Sequence, residues 1–294
     1  MINPKLKGKT ALITGANHGI GAATAKALTA QGVNVFISYL ALPVPDNVDT
    51  SDIETPGMGK YHHLRGQNAD AVLAEIKTAG GNAQAIEADL SDPNTIPALF
   101  DAAENAFGPV DILVHNAAHW EAGTFIPQGE ATANGAPEQW SANGIPTFTP
   151  AAHDASFAVN ARAGAHLITE FAQRHVKRNA DYGRIVTIST DAASSFPSEA
   201  IYGASKFALE SYSRSAANEL GQFGITINIV SPGPTQTGYI PPDFVAEMAA
   251  RTPLRRIGEP EDIADVIVFL ASEQARWLTG QLLYVGGGHQ MHRG

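Results

Sequence analysis

The chain has 294 residues, 44% of them hydrophobic and 16% charged, with a formal net charge of -10 and no cysteine. Such a length can build one large core. The acidic balance and the lack of any Lys/Arg run exclude a nucleic-acid surface, and the missing thiols exclude disulfides and thiolate metal sites. No apolar stretch approaches the ~20 residues of a membrane span, and the opening "MINPKLKGKT" has no apolar signal-peptide core, so a soluble, cytoplasmic protein without membrane partners is expected.

In chain order, "TALIT" (10–14) reads as a buried strand, and 19–31 as a helix with Ile20, Ala23, Ala27 and Leu28 at helical spacing. "VNVFISY" (33–39) is a second strand rich in β-formers. Residues 40–66 carry prolines, glycines and His62-His63 without periodicity and read as an irregular insert. Helix resumes at 67–79 and stops at Gly80-Gly81; "AQAIEAD" (83–89) is the third strand. A helix follows from "SDPNTIPALFDAAENAFG", with Ser91 or Asp92 as its cap, Pro93 near its first turn and Gly108 after its last. "VDILVHNAA" (110–118) is the fourth strand, and 119–150 a second irregular insert. Helix at 151–178, strand at 184–190, helix at 199–221 and strand at 225–230 come next. Short helix near 242–250, a helix from Pro260 to about 272 and the strand "QLLYVGG" end the chain. This alternation predicts a single α/β domain over 1–294: a Rossmann-type, doubly wound, seven-stranded parallel sheet with helices on both faces.

Between the first strand and first helix lies "ITGANHGIGAA", with Gly15, Gly19 and Gly21. A strand, a glycine turn and a helix N-terminus make an anion site from unpaired N–H groups and the helix dipole. Gly15 would allow the tight turn, Gly19 the approach of a pyrophosphate and Gly21 close packing of helix on sheet. Further on, Tyr202 and Lys206 in "YGASK" are four apart on one helix face. An ammonium there would lower the phenol's titration and fit it for proton transfer to or from an alcohol or carbonyl.

The spacing G-x-x-x-G-x-G after Thr14 resembles the short-chain dehydrogenase/reductase family, in particular bacterial 3-oxoacyl-carrier-protein-reductase-like members. "HNAA" (115–118) resembles that family's N-N-A-G, "YGASK" its Y-x-x-x-K, and "SPGPTQT" (231–237) its P-G segment; "GEPEDIADVIVFLAS" and "LTGQLLYVGGG" resemble its C-terminal helix and strand. The resemblance covers the chain apart from the two inserts, with His115 in place of the first Asn and Ala118 in place of Gly; His115 reads as a structural substitute. It implies hydride transfer between a nicotinamide cofactor and a carbonyl or alcohol, with Tyr202 as proton donor and Lys206 also holding the nicotinamide ribose. It implies a substrate-holding hydroxyl, which counting along the strand puts at Thr190 and counting back from Tyr202 puts at Ser189. It also implies Asn160 as the fourth catalytic member. For the cofactor it implies Gly15, Asn17, His18, Gly19, Ile20, Gly21, Tyr39, Asp89, Leu90, Asn116, Ala117, Pro232, Gly233, Thr235 and Thr237. It implies a homotetramer or dimer, with a small carbonyl or alcohol as substrate. A catalytically inactive nucleotide-binding scaffold or sensor is the alternative.

Cofactor choice turns on Tyr39, which stands where NAD-specific relatives carry a carboxylate for the ribose 2′-OH. Without that repulsion NADP(H) is favoured over NAD(H), with His18, Ser38, Tyr39 and a folded-back Arg65 as candidate phosphate partners. The 40–66 insert is expected to flank the cofactor's ribose or a subunit contact. The 119–150 insert is expected to shape the substrate entrance, with Trp120, Phe125 or Trp140 as apolar wall. His62, His63, His289 and His292 show no metal-ligand spacing and read as exposed loop histidines, with no metal expected.

Overall fold

A computed structural model describes residues 3–46, 48–126 and 146–289. Its framework is a seven-stranded, all-parallel sheet in the order β3-β2-β1-β4-β5-β6-β7. The strands are β1 (Thr10–Thr14), β2 (Asn34–Tyr39), β3 (Asn82–Glu87), β4 (Ile112–His115), β5 (Gly183–Ile188), β6 (Ile225–Pro232) and β7 (Leu282–Val285). The helices are α1 (Gly19–Ala30), α2 (Met58–Arg65), α3 (Asp70–Thr78), α4 (Thr95–Phe107), α5 (Pro150–Phe157), α6 (Ala163–Lys177), α7 (Ala200–Leu220), α8 (Pro242–Arg251) and α9 (Pro260–Ala271).

Successive strand residues point to opposite faces, so the central strands feed two cores. Ala11, Ile13, Ile112 and Val114 pack with Leu28 of α1, Val72 and Ile76 of α3 and Ile263, Ile267 and Leu270 of α9. Leu12, Leu113 and Ile185 face the other way, onto Leu99 and Phe100 of α4 and Leu167 and Phe171 of α6. Both faces are thereby covered, as continuous apolar strands such as "TALIT" require. Strand order reverses at β1, which pairs with β2 on one side and β4 on the other. Ligands of open α/β sheets bind beyond the carboxyl ends of the strands at such a switch point.

The structure departs from the sequence reading at four places. The 40–66 insert contains α2, whose residues show no apolar stripe because none of them is fully buried. Helix α4 starts at Thr95 with no side-chain cap; Asp89 and Asp92 instead accept from the backbone N–H of Ser91 and Asn94 in the preceding turns. The helix expected over 151–178 is interrupted by a π-helical turn, Ala158–Arg162, a widening that polar-site packing can demand and apolar periodicity does not encode. The third strand stops at Glu87, so Asp89 lies just beyond it.

Candidate active site

The glycine turn is built as its spacing predicts. Gly15 and Gly19 have φ of +65° and +55°, where a side chain is strained. A Cβ at Gly21 would lie 2.4 Å from the Gly15 carbonyl oxygen and 2.7 Å from Asn116 Nδ2, so α1 packs against the turn only because residue 21 has none. Asn116 Nδ2 donates to the carbonyls of Thr14 (3.2 Å) and Gly15 (2.7 Å), tying β4 to the turn. His115 is fully buried on Thr14 Oγ1 at 3.1 Å. Burial first, then the Lys206 charge, lower its pKa to about 3, so it is a neutral structural residue.

The turn opens into a cleft of about 600 Å³ along the carboxyl edge of the sheet. Gly15, Asn17, His18, Gly19, Ile20, Tyr39, Asp89, Leu90, Asn116, Ala117, Pro232, Gly233, Thr235 and Thr237 line one stretch of it, and Ser189, Thr190, Tyr202 and Lys206 another. Gly21 is the exception among the expected cofactor residues: it serves packing, behind the wall. A volume of this order suits a cofactor or drug-sized ligand. The N-terminus of α1, which no side chain caps, suits a pyrophosphate, and a Cβ on Gly19 would stand 3.2 Å from Thr237 Cγ2, across the opening. The residues present fit a dinucleotide.

Helix α2 brings the first insert into this cleft. Leu42 N–H donates to the Arg65 carbonyl, folding the insert back to the end of β2, and Asn17 Nδ2 donates to the carbonyl of Gln67. Arg65 therefore lines the cleft together with His18, Ser38 and Tyr39. Burial first, then the Arg65 charge, lower His18 to about 4, so its ring is neutral at pH 7 and Arg65 supplies the positive charge. On the insert's other side Gly57 N–H donates to the Gly238 carbonyl. The insert thus flanks the Ser38–Tyr39 end, as the sequence suggests, and also reaches the Tyr202 end through Tyr61.

At that end Lys206 is 1% exposed and donates from Nζ to the Ile188 carbonyl at 2.8 Å. Burial lowers its pKa to about 7. The ammonium lies 5.8 Å from the Tyr202 ring centroid. The expected depression of the Tyr202 phenol is absent: burial, followed by the neighbouring Glu199, Tyr61 and Tyr239, raises it well above the ordinary tyrosine value. The two candidate hydroxyls separate. Ser189 is 3% exposed and donates a hydrogen bond to Glu210 Oε1 at 2.6 Å, whereas Thr190 Oγ1 only accepts a long 3.4 Å contact from the Ala192 N–H. Asn160 is not in the cleft wall. Its amide is fully buried, donates to the His119 carbonyl and Ser205 Oγ, and accepts from the His119 N–H, so it braces the wall from behind.

Several cleft residues carried no sequence signal. Glu199 is 3% exposed and accepts from Trp120 Nε1 at 2.5 Å; burial raises its carboxyl to about 7, against the pull of that hydrogen bond. Tyr61 packs edge-on to Trp120 (6.2 Å) and tilted to Tyr239 (6.0 Å). His289 is no exposed loop residue: its Nδ1 pairs with Asp191 Oδ2 at 2.6 Å beside the cleft, because the chain returns there after β7. His62 and His63 lie in α2, and His292 lies outside the described residues. Trp120 lines the cleft as expected, but Phe125 is 77% exposed and stacks on Phe148 instead. Trp140 lies outside the described residues.

Residues 61–290 match the family described as Enoyl-(Acyl carrier protein) reductase. An uncharacterized oxidoreductase of Methylorubrum extorquens is 34% identical over 290 residues, covering 97% of this chain and 98% of the relative. The chain belongs to the short-chain dehydrogenase/reductase family. A versicolorin reductase of Emericella nidulans is 33% identical, covering 97% of each chain. The solved structure of a Burkholderia cenocepacia short-chain dehydrogenase in complex with NADP is 31% identical, covers 97% of this chain and 98% of its own, and superposes with a TM-score of 0.73. This short-chain dehydrogenase/reductase is thus an oxidoreductase of a nicotinamide-using family, and among its described residues no helix is long and apolar enough to cross a membrane.

Proposed function

We propose that the chain catalyses hydride transfer between NADP(H) and a carbonyl/secondary-alcohol pair, working chiefly as a reductase. The observation that carries this reading is the placement of Tyr202. It lines the cleft that begins at the glycine turn, with Lys206 Nζ 5.8 Å from its ring centroid. A phenol so placed can give its proton to a carbonyl oxygen as that carbonyl is reduced.

When bound, the nicotinamide supplies the hydride; the chain's own groups handle the oxygen and its proton. Tyr202 Oη gives the proton to the developing alkoxide. Thr190 Oγ1, with its hydrogen uncommitted to any strong partner, donates to the same oxygen. Ser189 holds Glu210 instead. Lys206, fixed on the Ile188 carbonyl beneath the tyrosine, would hold the ribose hydroxyls through the remaining hydrogens of Nζ. Asn160 keeps the His119 segment and α7 in register. Arg65, with Ser38 and Tyr39 at the same end of the cleft, would hold a 2′-phosphate, which favours NADP(H); the NADP bound in the Burkholderia relative supports this. The assembly is proposed to be a homotetramer or dimer, with Phe207 and Tyr212 of α7, 51% and 48% exposed, at an interface. The test is consumption of NADPH on a panel of ketones and aldehydes, followed by absorbance. Turnover supports the reading. A chain that binds NADPH and reduces nothing would instead be the inactive scaffold.

A further inference from the structure

Glu199 is a buried acid that the proton-transfer account above does not use. It immediately precedes α7, yet its carboxyl caps no N–H of that helix. Oε2 is taken by Trp120 Nε1, and among the described residues Oε1 accepts no hydrogen bond. Oε1 is not sealed off like the fully buried polar atoms that lack partners, and with Glu199 in the cleft lining it is left for a hydrogen-bond donor there. The residue lines the cleft that also holds Tyr202, and its charge acts on the phenols of Tyr202, Tyr61 and Tyr239. Its place is fixed by backbone. Gly123 N–H donates to the Ser198 carbonyl and Ala200 N–H to the Gly123 carbonyl, pinning the Trp120 segment to the start of α7. Ser198, at φ +69°, turns the chain into that position.

We propose that Glu199 reads a hydroxyl group of the substrate close to the reacting carbonyl, so that the preferred substrates are hydroxylated ketones with a flat or cyclic face set against Tyr61, Trp120 and Tyr239. This rests on the reductase reading above. A hydroxyl is the fitting partner because it both donates and accepts. It matches a carboxyl that holds a proton for much of the time near neutral pH, whereas an ammonium requires the ionised form. The ring faces supply the apolar remainder of the contact.

The test compares kcat/KM with NADPH for 2-hydroxycyclohexanone against cyclohexanone and for 2-hydroxyindan-1-one against indan-1-one, with 3-quinuclidinone as the cationic ketone. The native enzyme is expected to favour each hydroxylated member by at least ~10-fold, and Glu199→Leu to bring the ratio to within about 2-fold of unity. Glu199→Gln keeps the shape and the Trp120 hydrogen bond; its ratio should be intermediate and flat between pH 6 and 8, where the native ratio changes. Should the leucine variant not fold, the pH profile of the glutamine variant decides. Ratios unmoved by either substitution, a native preference for 3-quinuclidinone, or NADPH oxidation on other carbonyls but on neither hydroxyketone would each overturn the inference and leave the reductase reading intact. Absence of turnover on every carbonyl would overturn both.

Discussion

At the scale of single residues, the burial of each hydroxyl separates roles that spacing left merged. Ser189 and Thr190 are adjacent just past the end of β5, yet they meet different partners. Ser189 Oγ is spent on Glu210, itself buried and pushed upward in pKa by that burial. Ser189→Ala should therefore lower stability by about 1–3 kcal/mol, the cost of leaving a buried acceptor unpaired, with little change in kcat. Thr190→Val should leave the melting temperature nearly unaltered and reduce kcat by ~100-fold, as loss of an oxyanion donor does. Urea unfolding and steady-state kinetics on the two variants check the pair; the opposite pattern would exchange the assignments. Glu199 adds a pH effect. Its folded-state pKa, about 7, lies above the ordinary carboxylate value of 4.5. The native protein thus holds a proton that the unfolded chain releases between those values, and this stabilisation is present in full at low pH and lost as pH rises through 7. The melting temperature of Glu199→Gln minus that of the native protein should accordingly be larger at pH 8 than at pH 5, as scanning calorimetry can measure.

At the scale of elements, the glycine turn, α1, the central strands and the Tyr202–Lys206 helix were legible because each rests on local rules: glycine at positive φ, two-residue alternation, and i,i+4 adjacency. The Tyr39 position was legible too, since β2 ends there. What was hidden depends on contacts between distant segments. Helix α2 buries no residue completely and so leaves no periodic trace, and Glu199 differs from a surface acid only because the Gly123 segment covers it. Asn160 looks catalytic by motif, yet the π-helical turn aims it behind the cleft. The position of α2 carries a prediction. If Arg65 contacts the 2′-phosphate, Arg65→Ala should weaken NADPH by ~10-fold or more, the scale of one charge-assisted hydrogen bond, and leave NADH nearly unchanged. Tyr39→Asp should shift the balance further towards NADH by repelling the phosphate. Fluorescence titrations of both reduced cofactors at one ionic strength test this; equal losses for the two would remove Arg65 from the 2′-phosphate site.

At the scale of the whole molecule, the topology concentrates function on one edge. The reversal at β1 opens the sheet. β4 delivers Asn116, β5 delivers Thr190, and β6 delivers Pro232 and Gly233 to the same cleft. Helices α1 and α9 cover the opposite core face and leave that edge clear. Phe207 and Tyr212 face solvent on α7; replacing both with Asp should shift the light-scattering mass from an oligomer to a single chain, and a native protein already monomeric would dismiss that interface. The central claim is that Tyr202 serves as the acid of a carbonyl reduction in this cleft, and Tyr202→Phe tests it most directly. With NADPH and the best ketone of the panel, kcat should fall by at least ~100-fold, while NADPH still binds and the fold is retained. A phenylalanine variant that reduces the ketone at a near-native rate would contradict the account.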